Sequence, residues 1–193
     1  MFAQIDTKTV YTFMDSLIDL KTYIQKAKDL GYQTIGIMDR DNLYAAFHFI
    51  QEAKKEGLQP VLGLECAFSI KEWQTVTVQL IALNTLGYQN LMKLSSKQLS
   101  SGLELEDLPS YLPGIAVIIP YVEGIEEVAF PFDYYIGVHL QSPQKEYPKP
   151  LVPLQTVRYF EASERQTLHV LHAIRDNLSL KEAAPAPERQ AFY

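Results

Sequence analysis

Two short apolar runs, Thr34-Ile35-Gly36-Ile37-Met38-Asp39 and Pro60-Val61-Leu62-Gly63-Leu64-Glu65, restrict what this chain can fold into more than any other feature. Each has the length of a strand and ends in a carboxylate. Between them, Leu43 to Glu56 carries Ala46, Phe49, Ile50 and Ala53 at helical spacing and is followed by Gly57. Strand, amphipathic helix, strand is a β-α-β unit of a parallel sheet. Such sheets carry their sites at the carboxyl ends of the strands, which makes Asp39 and Glu65 candidate site residues. A metal centre there would also want histidine, yet Arg40 follows Asp39.

The rest of the chain limits the chemistry. Its 193 residues, 47% of them hydrophobic, suit one compact domain with a single core. No apolar run reaches the roughly 18 residues that span a bilayer, and the first residues lack a charged segment followed by an apolar one, so a cytoplasmic protein is expected. The single Cys66 permits neither an internal disulfide nor a cysteine zinc cluster, and it reads as a small buried hydrophobe. Seventeen Lys and Arg against 23 Asp and Glu leave a net charge of -6, the wrong sign for gripping nucleic-acid phosphates unaided.

In order, Phe2 to Asp6 predicts a short first strand, and Leu17, Leu20, Ile24, Ala27 and Leu30 predict a helix from Asp15 or Ser16 to Leu30, stopped by Gly31. Strands are expected at Thr34–Met38, Pro60–Phe68, Thr75–Leu83, Ile115–Ile119 and Tyr134–Leu140, with a helix from Tyr88 to Leu99 after Gly87. Ser100 to Gly102 predicts a break, and Leu103 to Leu108 a short helix or loop stopped by Pro109. Four prolines between Pro143 and Pro153 predict an irregular connection. Ser163, with Gln166 three residues on, predicts a capped helix to Leu178. Residues 181–193, with Pro185 and Pro187, resemble a linker after a domain of residues 1–180. Alternating strands and helices point to an α/β barrel or an open α/β sheet.

Several stretches carry a resemblance. Tyr11-Thr12-Phe13-Met14-Asp15-Ser16, Leu30-Gly31-Tyr32, Asp39 to Tyr44, Gly57 to Glu65 and, above all, Asn84-Thr85-Leu86-Gly87-Tyr88-Gln89-Asn90-Leu91-Met92-Lys93-Leu94-Ser95-Ser96 resemble the PHP (polymerase and histidinol phosphatase) domain. The form they resemble stands at the amino terminus of the alpha subunit of bacterial C-family replicative polymerases, DNA polymerase III, in its short Gram-positive version. The resemblance implies a distorted seven-stranded α/β barrel, truncated here at its carboxyl end. It also implies, in active members, up to three divalent metals among histidines and carboxylates that hydrolyse phosphoesters.

Carried over position by position, the first His-x-His falls on Asp6 and Lys8, and a second-strand histidine falls on Arg40. A fourth-strand histidine falls near Thr77, and a late Asp-x-His pair falls on Thr156 and Arg158, while Asp15, Asp39 and Glu65 remain acidic. Neither a lysine ammonium nor a guanidinium has a lone pair to give a metal. The resemblance therefore implies a degenerate site without metal, in which Lys8, Arg40 and Arg158 pair with Asp6, Asp15, Asp39 and Glu65. His48, His139, His169 and His172 are expected at the surface, outside the site.

The function implied is a structural and interaction module of a DNA-directed DNA polymerase. Its expected partners are the rest of the alpha chain and other replisome subunits, with DNA met only through the full-length protein. The palm that uses magnesium is absent, so no cofactor and no catalytic residue are expected in this fragment. The alternatives are a metal-dependent 3'-5' exonuclease or phosphoesterase and an unrelated α/β barrel acting on a small metabolite. Tyr121, Phe130, Phe132, Tyr134, Tyr135 and Tyr147 are expected as exposed aromatics, with Phe130-Pro131-Phe132 marking a docking surface.

Overall fold

The computed structural model describes residues 3–70, 74–101, 104–125, 128–139, 142, 146–187 and 192. Phe2, Gly102, Leu103, Leu140, Pro143 and Glu188, which the expected strands, break, loops and tail include, lie outside the described residues. The elements are α1 (Leu20–Asp29), β1 (Thr34–Arg40), α2 (Ala46–Lys55), β2 (Gln59–Ile70), β3 (Gln74–Ala82), α3 (Thr85–Ser101), β4 (Ile115–Pro120), β5 (Tyr135–Val138), β6 (Leu151–Pro153) and α4 (Arg165–Arg175). Short 3-10 helices cover Leu105–Tyr111, with Pro109 inside, and Ala162–Glu164. The strands are hydrogen-bonded in chain order, β1-β2-β3-β4-β5-β6. This is a mixed α/β architecture with six strands among the described residues, where the resemblance implied seven.

By backbone contacts the chain divides into two compact units, residues 1–40, 44–61 and 155–193, and residues 41–43 and 62–154. In the first unit the segment around residues 4–8 runs between two neighbours. Gly36 and Met38 donate to the carbonyls of Gln4 and Thr7, while Lys8 donates to Val157 and Val157 donates to Asp6. The segment meets β1 and residue 157 through isolated parallel bridges, Gln4 to Ile35 and Thr7 to Val157, rather than as a strand. Gly36 is required for the closeness: a Cβ there would stand 2.9 Å from Ile5 Cα and 3.2 Å from the Val61 carbonyl oxygen.

Helix α1 starts later than its apolar spacing predicts because the preceding residues are bonded elsewhere. Ser16 Oγ donates to the Lys8 carbonyl at 2.6 Å, and Leu17 N–H donates to Arg158 at 2.8 Å. Asp19 therefore becomes the N-cap, accepting from Thr22 N–H at 2.9 Å. Tyr23, Ile24 and Ala27 form the buried face of α1, and Tyr23 stacks on Phe49 of α2. The turn before α4 is boxed by Glu161 and Glu164, not by Ser163 and Gln166. Of the described tail residues, Ala183, Ala186 and Phe192 are buried, and the Phe192 ring stands edge-on to Tyr23 and stacked on Tyr32.

In the second unit β2 pairs antiparallel with β3 and β3 with β4, whereas β4–β5 and β5–β6 are parallel, so the sheet is mixed rather than parallel throughout. Its core joins Leu64, Cys66 and Phe68 of β2 to Val76, Val78 and Leu80 of β3, and these to Leu91 and Leu94 of α3. Cys66 is fully buried, as expected of a small hydrophobe, and burial pushes its thiol pKa up. The aromatic docking surface is corrected here. Tyr134 is buried, and Tyr121, Phe130, Phe132 and Tyr147 pack partly buried against this core, leaving Tyr135 exposed. Pairs such as Phe130–Tyr134 and Tyr121–Tyr147 use their edges on each other.

Candidate functional site

The first unit gathers an ion-pair cluster from four stretches of chain: residues 6–15, the end of β1, residues 156–158 and the last turn of α4. The alternation of extended backbone puts Asp6 and Lys8 on one side of their segment. Lys8 is fully buried, with its Nζ 3.0 Å from Asp6 Oδ1, a close ionic contact lacking hydrogen-bond alignment. Thr156 Oγ1 donates to the other Asp6 oxygen at 2.6 Å. Burial alone would raise the Asp6 pKa, but the Lys8 ammonium, the Thr156 hydroxyl and Arg158 together hold it below the usual carboxylate range.

Asp15 is the hub. Its Oδ2 lies 3.2 Å from Arg158 Nε and 3.6 Å from Arg40 Nη2, and its Oδ1 lies 3.0 Å from Arg175 Nη1 and 2.8 Å from His172 Nε2. Against the upward push of burial, Arg158, then Arg40, and His172 bring its pKa below the ordinary value. The His172 pKa is also lowered: burial disfavours the imidazolium, and Arg175 and Arg158 reinforce burial against the pull of Asp15. Arg175 turns its remaining edge to Asp176, with Nε 2.8 Å from Oδ1.

Asp39 is held differently. It accepts from Thr9 N–H, Thr9 Oγ1 and Thr12 Oγ1, each at 2.7 Å. No guanidinium is among these bonds, and burial outweighs them, raising the carboxyl pKa.

The remaining candidates lie in the second unit. Glu65 is buried on β2, paired in register with Gln79, whose Nε2 donates to Glu65 Oε2 at 3.3 Å. Thr77 is exposed on β3 opposite Ala67.

The structure thus brings together Asp6 with Lys8 and Thr156, and Asp15 with Arg40 and Arg158. It corrects two expectations about Asp39 and His172. Asp39 takes its hydrogen bonds from Thr9 and Thr12, with the charge of Lys8 acting on it without a direct bond, and His172, read as a surface histidine, touches the hub carboxylate. Arg175 was missed altogether. The signal for both was their i, i+3 spacing on one helix face, with no aligned family position to draw attention to it.

These residues do not suit a divalent ion. Lys8, Arg40, Arg158 and Arg175 present only N–H groups, and each carboxylate oxygen they touch is one a metal would need. Lys8 lies against Asp6, Arg40, Arg158 and Arg175 converge on Asp15, and Arg175 also meets Asp176, so these carboxylates already have fixed cations beside them. Among the described residues, no three His, Cys, Asp or Glu side chains are grouped to hold a metal.

Comparison with known proteins agrees with the resemblance. The PHP domain family matches residues 5–170. A DNA polymerase III subunit alpha of Streptococcus pyogenes serotype M3 is 55% identical over 184 residues, 94% of this chain and 18% of that protein. The serotype M1 protein is 54% identical over 204 residues, 100% of this chain and 20% of its own length. The subunit from Aquifex aeolicus is 25% identical over 169 residues, 77% of this chain and 14% of that protein. The chain therefore spans about a fifth of the length of the Streptococcus relatives. Among solved structures, an amidohydrolase from Chromobacterium violaceum shares the fold, with a TM-score of 0.55 and 12% identity over 99% of this chain and 90% of that one.

Proposed function

The chain belongs to the PHP domain family, and from that membership we propose that it is the amino-terminal PHP domain of a bacterial DNA polymerase III alpha chain, acting as a structural and interaction module rather than as a hydrolase. The 54–55% identity to the Streptococcus pyogenes subunits supports the first part. One observation supports the second: the Lys8 ammonium is fully buried 3.0 Å from Asp6, in the cluster where the resemblance puts metal ligands. A hydrolytic centre needs a cation that lowers the pKa of a bound water and stabilises the leaving oxygen. Lys8, Arg40, Arg158 and Arg175 supply positive charge but cannot bind a water and lower its pKa, so the domain carries no metal and no phosphoesterase step.

In this reading the positive charges keep the carboxylates satisfied and hold the unit together. DNA synthesis, its magnesium and the contact with DNA belong to the rest of the alpha chain, in the cytoplasm where bacterial replication takes place. Among the described residues no helix is long and apolar enough to cross a membrane. The partners are the remainder of the alpha chain first and other replisome subunits second.

The test is an exonuclease and phosphatase assay of the purified chain with manganese or zinc, using a 3'-labelled single strand and a phosphomonoester. The account expects no release above the protein-free rate. Metal-dependent 3'-5' degradation would overturn it in favour of the nuclease alternative.

A further inference from the structure

Helix α4 rests on a small support, and the tail supplies part of it. Leu168 and Ala173 of α4 are buried, while Val170 and Ile174 face solvent. The core beneath the helix joins Leu168 to Tyr159 and to Ala186 of the tail, with Leu17 and Leu171 partly buried against them. A base with so few large side chains stabilises modestly, so the polar ties around it count for more.

After α4 the chain turns back. Leu178 N–H donates to Ala173 at 2.9 Å, and Asn177 is left-handed at φ 52°. Glu182 Oε2 then accepts from the Ser179 N–H at 3.1 Å and the Ser179 hydroxyl at 2.6 Å. The tail runs antiparallel to the helix, because its later carbonyls meet earlier helix side chains. His169 Nε2 lies 3.2 Å from the Ala183 carbonyl oxygen, and Arg165 Nε donates to that of Ala186 at 2.7 Å. The Tyr159 hydroxyl donates to the Pro187 carbonyl at 3.2 Å. Phe192 N–H donates to the Tyr159 carbonyl at 3.0 Å, and its buried ring meets Tyr23 and Tyr32. All of these contacts lie within the first unit.

The helix held in this way is the one that reaches the ion-pair hub. His172, one turn after His169, and Arg175, one turn further, are the groups that α4 sends to Asp15. We propose that residues 183–187 and Phe192 form a strap that clamps α4 in place and thereby holds His172 and Arg175 on Asp15. Closed, the strap adds these two groups to the Arg40 and Arg158 already beside Asp15. Open, it leaves Asp15 those two guanidinium groups and uncovers Tyr159, Tyr23 and Tyr32. Its ties are side-chain bonds to tail carbonyls, one backbone bond and one ring, which can part while the sheet stays formed.

The test starts with hydrogen exchange in the unaltered 193-residue chain at low urea. The Phe192 amide, bonded to Tyr159, reports on the strap, and the amides of Leu168 to Arg175 report on α4. One shared opening is expected, with equal protection and equal urea dependence, and easier than the opening of β2 and β3. Separate openings for Phe192 and α4, or a shared one that comes only with the β2 and β3 amides, would overturn the proposal. A thermodynamic cycle by urea unfolding supplies a second reading. Arg175→Gln should lower the folding constant of the parent about tenfold, the size of a hydrogen bond to a charged group. It should leave unchanged a variant whose strap is released by Ala186→Gln together with Phe192→Ser. An equal loss in both backgrounds would show that Arg175 reaches Asp15 without the strap and would defeat the proposal. If the released variant does not fold, the shared or separate opening in the parent decides.

Discussion

Asp6 and Asp39 are both buried carboxylates within one unit, yet they are stabilised in opposite ways, and their substitutions should separate. Asp6→Asn leaves the buried Lys8 ammonium without its carboxylate and should cost about 3–5 kcal/mol, read from urea unfolding. Asp39→Asn keeps the Thr9 N–H bond and lets the threonine hydroxyls turn to accept, so it should change stability by less than about 1 kcal/mol. The pH dependence follows from the same groups. Asp6 and Asp15 have folded pKa values below the ordinary 3.8, so their contribution is complete above that value and is lost as pH falls through the folded ones. His172, lowered from 6.5, likewise stabilises above that pH and loses its contribution on acidification. Asp39, raised from 3.8, has the opposite sign: its contribution is present at low pH and lost as pH rises through the folded value. The melting temperature should therefore fall in two stages on acidification, a first below about pH 6.5 that His172→Gln removes and a second below about pH 4. A melt unchanged between pH 7 and pH 5 would contradict the role given to His172.

At the scale of elements, the stretch from Asn84 to Leu94 shows why the motif was legible and what it does. Asn84 Oδ1 accepts from Gly87 N–H at 3.0 Å in the first turn of α3, and Asn90 Nδ2 donates to the Pro113 carbonyl at 3.0 Å. A Cβ on Gly87 would fall 1.9 Å from the Gly114 carbonyl oxygen. Both glycine and asparagines thus serve the join between α3 and the start of β4. Gly87→Ala should destabilise by about 1–3 kcal/mol or more through overpacking, and Asn84→Ala by about 1 kcal/mol through loss of the cap, both measurable by chemical denaturation. Periodicity exposed α2, β1 to β4 and α3 well because each is a local pattern. It misplaced the start of α1, where Ser16 and Leu17 are tied to Lys8 and Arg158 by bonds that no spacing reveals. For the same reason Asp6, Lys8, Asp15, Arg40 and Arg158 were found through a resemblance to aligned positions. Arg175 and His172, 160 and 157 residues along the chain from Asp15, had only geometry to announce them. The parallel sheet expected from the β-α-β pattern gave way at β2 and β3, whose connection through residues 71–73 is too short for a crossover and leaves them antiparallel.

For the whole molecule, the central claim is that fixed cations have taken the place of bound metals, so that the domain supports a polymerase chain without hydrolysing anything. Four cations lie against Asp6 and Asp15, so added divalent ions would have to displace Lys8 or a guanidinium from a partner it already touches. The most direct measurement is elemental mass spectrometry of the 193-residue chain, purified without chelator and dialysed against manganese or zinc, alongside thermal melts with and without chelator. The account predicts no stoichiometric metal and superimposable melts. Two or three metal ions per chain that raise the melting temperature, and are lost with it on chelation, would contradict it.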